Sequence, residues 1–374
     1  VGGTGPARPG RSRLTEALPE AALELYRACQ VVDLHIETFV WTRIFGYDLT
    51  APHGPGLLRA RYLGQADLPR LEAAGLTAVV LSIATNPARR RGNRTATLLS
   101  NLTRLQDLVR TSTATLASTS TSDSSSPSAS HQTSTSASGS ARSARQLVPP
   151  NGMTVYLAVQ GGNAFDSAAD VGLVPAGALS RVTLMHLTDS DLGATSSPLG
   201  RSRGRGGLTA RGRALVEALN EGRMLVDLAH ASRRTFFDAL DAHGPARPPV
   251  VTHTGVSGVH PSWRNLDDDQ IRAIADRGGV VGIMYHRGFL GRPSRRVGAE
   301  AIVRHLEHTI AVGGEDIAAL GSDWDGMIVT PRDMPTALEL PVLVDRMLAR
   351  RWPEARIRRV LGQNALRLLA TTHP

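Results

Sequence analysis

Short apolar runs recur along the chain, and between them lie amphipathic stretches of helical length. The runs are VVDLHIE (31–37), LTAVVLSIA (76–84), TVYLAVQ (154–160), VTLMHL (182–187), MLVDLAH (224–230), PVVTHTG (249–255), GVVGIMY (279–285) and IAALGSDWDG (317–326). Most are rich in Val, Leu and Ile and lack the strict polar alternation of a half-exposed strand, so they read as strands covered on both faces. The intervening segments include ARGRALVEALNEG (210–222) and DDDQIRAIADRGG (267–279). The second opens on acidic residues and closes on Gly, as helix termini prefer. Strand then helix, eight times over, predicts a (β/α)8 TIM barrel, although a doubly wound open sheet shows a similar alternation. The 374 residues suit one large barrel spanning 1–374 as a single domain.

One segment breaks the pattern. Residues 111–146, TSTATLASTSTSDSSSPSASHQTSTSASGSARSARQ, are nearly all Ser, Thr and Ala. Such a stretch has too little apolar area to offset the entropy of ordering it, and is expected to be a disordered surface insertion. His131, inside it, is therefore set aside.

Composition narrows the function classes. The formal charge is +9, yet all 42 basic residues are Arg and none is Lys, which looks like compositional bias rather than selection for a polyanion. The arginines are scattered, with clusters at Arg89–Arg91, Arg201–Arg205 and Arg350–Arg351, and no basic stripe interleaved with aromatics marks a nucleic-acid surface. The single cysteine, Cys29, excludes an intrachain disulfide and a thiolate metal cluster. No apolar run approaches the roughly 20 residues of a membrane helix. The opening VGGTGPARPGRSR has no apolar signal-peptide core, which favours a cytoplasmic location as an expectation, while its initial Val leaves the natural start open.

The polar residues that interrupt the apolar runs gather at their C-terminal ends. His35, Glu37, Gln160, His186, His230, His253 and Asp323 fall at or near the ends of six predicted strands. In a barrel those ends converge on one face, where active sites are built. His35, His230 and His253 with a carboxylate suit Zn2+ or a similar divalent ion. Asp323 lies in GSDWDG, either as a general acid or base or as part of a hydrogen-bonded turn. Arg264, after the sixth strand, has two readings: a bidentate clamp for a substrate carboxylate, or an ion pair with Asp267 or Asp268. His53, His243, His260, His286, His305, His308 and His373 read as ordinary hydrogen-bonded histidines.

In this order, His-x-acid after strand one, QGG (160–162), LMHL, VDLAHAS, VTHTGVSGVHPSWRNLDDDQ and GSDWDG closely resemble the membrane dipeptidase family, also called renal dipeptidases or peptidase family M19. The resemblance spans nearly the whole chain outside the Ser/Thr segment. It implies a metal-dependent, amidohydrolase-like barrel that hydrolyses dipeptides at a binuclear zinc centre. By motif position, His35 and Glu37 match the ligands of a first metal, Gln160 the bridging residue, and His230 and His253 the ligands of a second. His186 matches the histidine that polarises the scissile carbonyl, Arg264 the arginine that holds the substrate carboxylate, and Asp323 the acid that manages the water's proton. A small dipeptide-like substrate and a homodimeric assembly are the partners so implied.

Two positions depart from the family pattern. Glu37 stands where the family has Asp, a methylene longer, and a rotamer change absorbs the difference. Gln160 stands where the family has a bridging Glu. A neutral amide offers one carbonyl oxygen and no charge, whereas a carboxylate bridges two cations roughly 3.5–4 Å apart and screens their repulsion. The expectation is one zinc ion, or a weakened pair, in a metallo-dipeptidase; the alternatives are a degenerate barrel that binds a ligand or partner, and a mononuclear amidohydrolase acting on another substrate.

Overall fold

The structure, a computed structural model, describes residues 12–54, 62–86, 91–120, 146–147, 152–245, 247–292 and 297–372. Eight parallel strands form a closed barrel: β1 (Val32–Ile36), β2 (Ala78–Ala84), β4 (Thr154–Gln160), β5 (Arg181–Thr183), β6 (Leu225–Asp227), β7 (Val250–Thr254), β8 (Val280–Ile283) and β9 (Ala318–Leu320). Their order is β2-β1-β9-β8-β7-β6-β5-β4, and a β2–β4 ladder running from Ala78↔Thr154 to Ala84↔Gln160 joins the ends. An open sheet has two free edges, so this closure decides for the barrel. A two-residue strand, β3 (Gln146–Leu147), runs antiparallel against the start of β4, before β4 takes up its pairing with β5.

All eight apolar runs become barrel strands, several shorter than the sequence suggested. β5, β6 and β9 keep only three residues each, so His186, His230 and Asp323 stand in the loops just beyond them. The helix Ala210–Glu221 is capped by the Thr209 hydroxyl, and Asp268–Ala275 by an Asp267–Gln270 capping box. The helix Arg94–Ser120 runs through Thr111 into the first part of the Ser/Thr-rich segment, and Gln146 at its far end pairs in β3. Residues 121–145, including His131, lie outside the described residues, as does His373.

Inside the barrel the side chains stack in layers, as alternate strands contribute alternate levels. The lower interior is apolar, with Val32, Leu34, Val80, Ala158, Leu225, Val250, Val280 and Ala319, and is closed from below by Ala365, Leu368 and Leu369 of the C-terminal helix Asn364–Ala370. Above it the interior turns polar, with Ser82, Arg181, Thr183, Asp227 and Thr252 all buried. Gly282 and Gly321 sit in this layer because a Cβ there would meet Thr252 O at 2.0 and 1.7 Å.

Candidate metal centre and active site

Simple strand alternation does not aim His35 at the barrel axis, since Leu34 already points inward. β1 shifts register between Asp33 and Ile36, and β7 shifts between Val251 and Thr254. Such irregularities re-aim side chains, and here each delivers a histidine to the centre. The His35 and His253 rings stack with centroids 3.9 Å apart. His35 and Glu37 both reach the centre, through this bulge rather than through the period of the strand.

Around this stack the remaining groups close in. His230 Nε2 lies 2.9 Å from His253 Nε2 and 3.4 Å from Gln160 Nε2. His35 Nε2 faces Glu37 Oε1 at 3.1 Å and Asp323 Oδ1 at 3.5 Å, out of the alignment a hydrogen bond needs. One donor atom each of His35, His253 and Asp323 lie within 4.8 Å of one another, the spacing of groups around one cation. His35 Nε2, Glu37 Oε1 and Gln160 Oε1 are buried without a hydrogen-bond partner among the described residues. Buried polar atoms are rarely left so, and the His230 and His253 nitrogens, with the carboxylate and amide oxygens gathered around them, fit a divalent ion.

Backbone strain marks the same place. His230 and Asp323 have φ of +64° and +63°, and Asp325 and Met327 follow at +65° and +60°. Left-handed non-glycine residues cost about 1–3 kcal/mol each and persist where the surroundings over-determine them. The two carboxylates of GSDWDG separate in role. Asp325 is consumed by structure: it accepts from Thr38 Oγ1 at 2.6 Å and from the Gln65 and Ala66 amides at 2.8 and 3.3 Å. Asp323 alone faces the centre, with Gly326 packed so closely that a Cβ there would lie 2.2 Å from Asp323 Oδ1.

Desolvation dominates the electrostatics. It holds His35, His230 and His253 well below the usual imidazole range, helped by the charge of Arg264 and, for His35 and His253, of Arg181, so all three are neutral. Burial also pushes Glu37 up to about 7 and, with the Glu37 charge, Asp323 well above the usual carboxylate range. A cation would reverse both carboxylate shifts. His186, at the pocket wall with its ring edge-on to His230 at 5.1 Å, is lowered to about 4 by desolvation and Arg264.

The centre opens into a pocket of about 890 Å³, lined among others by Glu37, Gln160, His186, His230, Arg264 and Asp323. Arg264 is buried and donates from Nη2 to His253 O at 2.7 Å. It forms no ion pair among the described residues; Asp267 pairs instead with Arg233 at 2.7 Å, and Asp268 with His308. The alternative that Arg264 merely neutralises Asp267 or Asp268 is thereby corrected, and its guanidinium is left for the pocket.

A family profile described as membrane dipeptidase, peptidase family M19, matches residues 20–373. The chain belongs to that family. Among curated relatives of this M19 chain, an uncharacterized protein in the pqqA 5′ region of Klebsiella pneumoniae is 38% identical over 166 residues, 44% of this chain and 60% of that protein. An uncharacterized dipeptidase of Schizosaccharomyces pombe is 30% identical over 193 residues, 51% of this chain and 46% of that one. The matched stretches thus span about half the length of these relatives. Solved structures share the fold: a metallopeptidase of Rhodobacter sphaeroides bound to a phosphinate mimic of the dipeptide L-Ala-D-Ala (TM-score 0.71, 22% identity, 92% of this chain and 99% of that one). An M19 metallopeptidase, dipeptidase AC, aligns equally well (TM-score 0.71, 23% identity, 92% and 98%).

All eight residues singled out in the sequence, His35, Glu37, Gln160, His186, His230, His253, Arg264 and Asp323, lie in this M19 barrel at or beside the centre. Of the histidines set aside, His53, His243, His305 and His308 are hydrogen-bonded elsewhere, while His286 lines the pocket and accepts from the Val329 amide at 3.0 Å. The sequence reading passed over the polar floor. Asp227 was visible as a charge within an apolar run and Arg181 as one just before another, two residues from Thr183, a spacing that places Arg181 and Thr183 on one strand face. Among the described residues, no helix is long and apolar enough to cross a membrane.

Proposed function

We propose that this chain is a metal-dependent hydrolase that cleaves the amide bond of a dipeptide, or of a similarly small amide with a free carboxylate. The observation that carries the reading is the meeting of Asp323, His186 and Arg264 with a nitrogen and oxygen donor set in one pocket of an M19 barrel. His253 and His230, with Glu37 and Asp323 facing them, are the groups that would hold Zn2+ or a comparable ion. Such an ion would act as a Lewis acid and make water a nucleophile at neutral pH.

The side chains divide the remaining work. Asp323, fixed by its strained backbone, takes the proton of the attacking water and returns it to the leaving amine. Neutral His186 donates a hydrogen bond to the carbonyl oxygen as negative charge develops there. Arg264 binds the substrate carboxylate and sets the register of the scissile bond. Ile44, Phe45, Leu187, Trp263 and Met327 are exposed yet line the pocket, a rim that favours a substrate with an apolar side chain. Replacing Asp323 by Asn should lower kcat by about 10²–10⁴-fold; an unchanged rate on a dipeptide panel would reject the assignment.

Gln160 supports a second reading, a barrel that has lost peptidase activity and binds a ligand. The double variant Gln160→Glu with Glu37→Asp separates the two. Dipeptidase activity present only in that variant would make the natural chain a degenerate enzyme. Activity in the natural chain on esters or amides without a free carboxylate would instead identify a mononuclear amidohydrolase.

A further inference from the structure

Arg181 lies fully buried directly beneath the centre. It pairs with Asp227 Oδ2 at 3.1 Å, donates to Thr183 Oγ1 at 2.6 Å, and brings Nη2 against Leu34 O at 3.4 Å and against Nδ1 of His35. A guanidinium carries donors only, so His35 Nδ1 must present its lone pair. In the neutral ring the proton then sits on Nε2, the nitrogen aimed at Glu37 and Asp323. A metal-ligating imidazole has the reverse arrangement, a bare ligating nitrogen and an N–H handed to an acceptor behind it.

His253 has that ligating arrangement. Its Nδ1 lies 2.9 Å from Thr252 Oγ1, and the hydroxyl gives its own hydrogen to Asp227 Oδ2 at 2.7 Å. The hydroxyl therefore accepts from Nδ1–H, which leaves Nε2 bare and facing the centre. Two histidines stacked on each other are thus prepared for opposite tasks by what stands behind them.

We infer that Arg181 stands in for one of two cations: by facing Nδ1 it keeps the His35 proton on Nε2, so that His35 does not ligate, and it limits the centre to a single divalent ion on the His230 and His253 side. The inference rests on the metal-dependent reading above and makes Arg181 a positioning residue. Gln160 alone then does not set the ion count. The test is elemental analysis and titration with Zn2+ on the full chain, with folding checked by circular dichroism. The wild type and Gln160→Glu should each hold one equivalent, and Arg181→Met with Gln160→Glu should hold two. His35→Ala should still bind one equivalent within about threefold of the wild-type Kd, while His253→Ala should weaken it at least about a hundredfold. Long-range 15N–1H correlation should place the His35 proton on Nε2. Two equivalents in the wild type or in Gln160→Glu, or loss of the ion in His35→Ala, would overturn the inference and leave the hydrolase reading standing. No ion in the wild type would overturn both. The His35 variant decides the matter even where the Arg181 variant fails to fold.

Discussion

His230 and His253 meet nitrogen to nitrogen, Nε2 to Nε2 at 2.9 Å, with Gln160 Nε2 3.4 Å from the His230 nitrogen. Since the His253 nitrogen is bare, either a proton from His230 or a cation must lie between the rings. With an ion there, the Gln160 amide can add only a neutral oxygen. Replacing Gln160 by Glu adds an anionic oxygen without changing shape, and should tighten Zn2+ binding about tenfold or more, roughly 1.4 kcal/mol. Competition with a chelator of known affinity measures this, and an unchanged Kd would mean that residue 160 does not reach the ion.

Asp227 holds the polar floor together. It accepts from Arg181, from the Thr183 and Thr252 hydroxyls at 2.6 and 2.7 Å, and from the Ala229 and Thr252 amides at 3.0 Å each. Asp227→Asn leaves the Arg181 guanidinium buried without its counter-charge, and should cost about 3–5 kcal/mol. Urea denaturation of the two proteins gives the difference. A loss below about 1 kcal/mol would show that Glu37, Asp33 and Asp323 carry the arginine without it.

These two residues also show what the sequence made legible. The eight strands were readable because each is a continuous apolar run, and the ligand-type residues because they interrupt those runs at one end. The floor was harder to see, since Arg181 opens a strand of only three residues and looks like a helix-to-strand linker. The bulges at His35 and His253 leave no trace in composition, because a register shift depends on the partner strand. Asp323 was already singled out in the motif, and the contacts agree, since Asp325 is spent on Thr38 and the Gln65 and Ala66 amides.

Gly326 is the contact that keeps Asp323 in place. A Cβ at residue 326 would lie 2.2 Å from Asp323 Oδ1, so Gly326→Ala must displace the carboxylate. The expected outcome is a fall in kcat of about 10²-fold or more, from misplacement of a reacting group by about 1 Å. Far-ultraviolet circular dichroism should be unchanged. Full activity in this variant would argue that Asp323 moves freely and is not the positioned base.

His305 tests the electrostatics of burial away from the centre. Its Nδ1 accepts from the Val256 amide at 2.9 Å, its Nε2 donates to Leu290 O at 3.1 Å, and desolvation lowers it to about 4. The unfolded chain titrates near the ordinary 6.5 and so binds the proton first. The stability from this group is complete above that value and is lost as pH falls towards 4, by up to about 1.4 kcal/mol per pH unit. Asp33 and Asp325, both raised to about 6, act in the opposite sense over part of this range. The comparison is therefore between wild type and His305→Asn, whose side chain keeps an acceptor but does not titrate. The variant should be less stable at pH 7 and should lose stability less steeply between about pH 6.5 and 4; parallel curves would mean that His305 is not held neutral.

Arg264 separates recognition from catalysis. Burial lowers its pKa to about 10, against the opposing charges of Asp323 and Asp227, so it stays charged at neutral pH. With one Nη2 hydrogen bond given to His253 O, its remaining donors are available to a carboxylate in the pocket. Arg264→Met should raise KM for dipeptides by about 10–100-fold, the worth of a charge-assisted pair of about 1.5–3 kcal/mol, with a smaller change in kcat. For C-terminally amidated dipeptides, which lack the partner charge, the same substitution should change KM little. Because Met also removes the bond to His253 O, zinc content is measured alongside. An equal loss on both substrates with zinc retained would assign Arg264 to holding the β7 backbone in place rather than to binding the substrate.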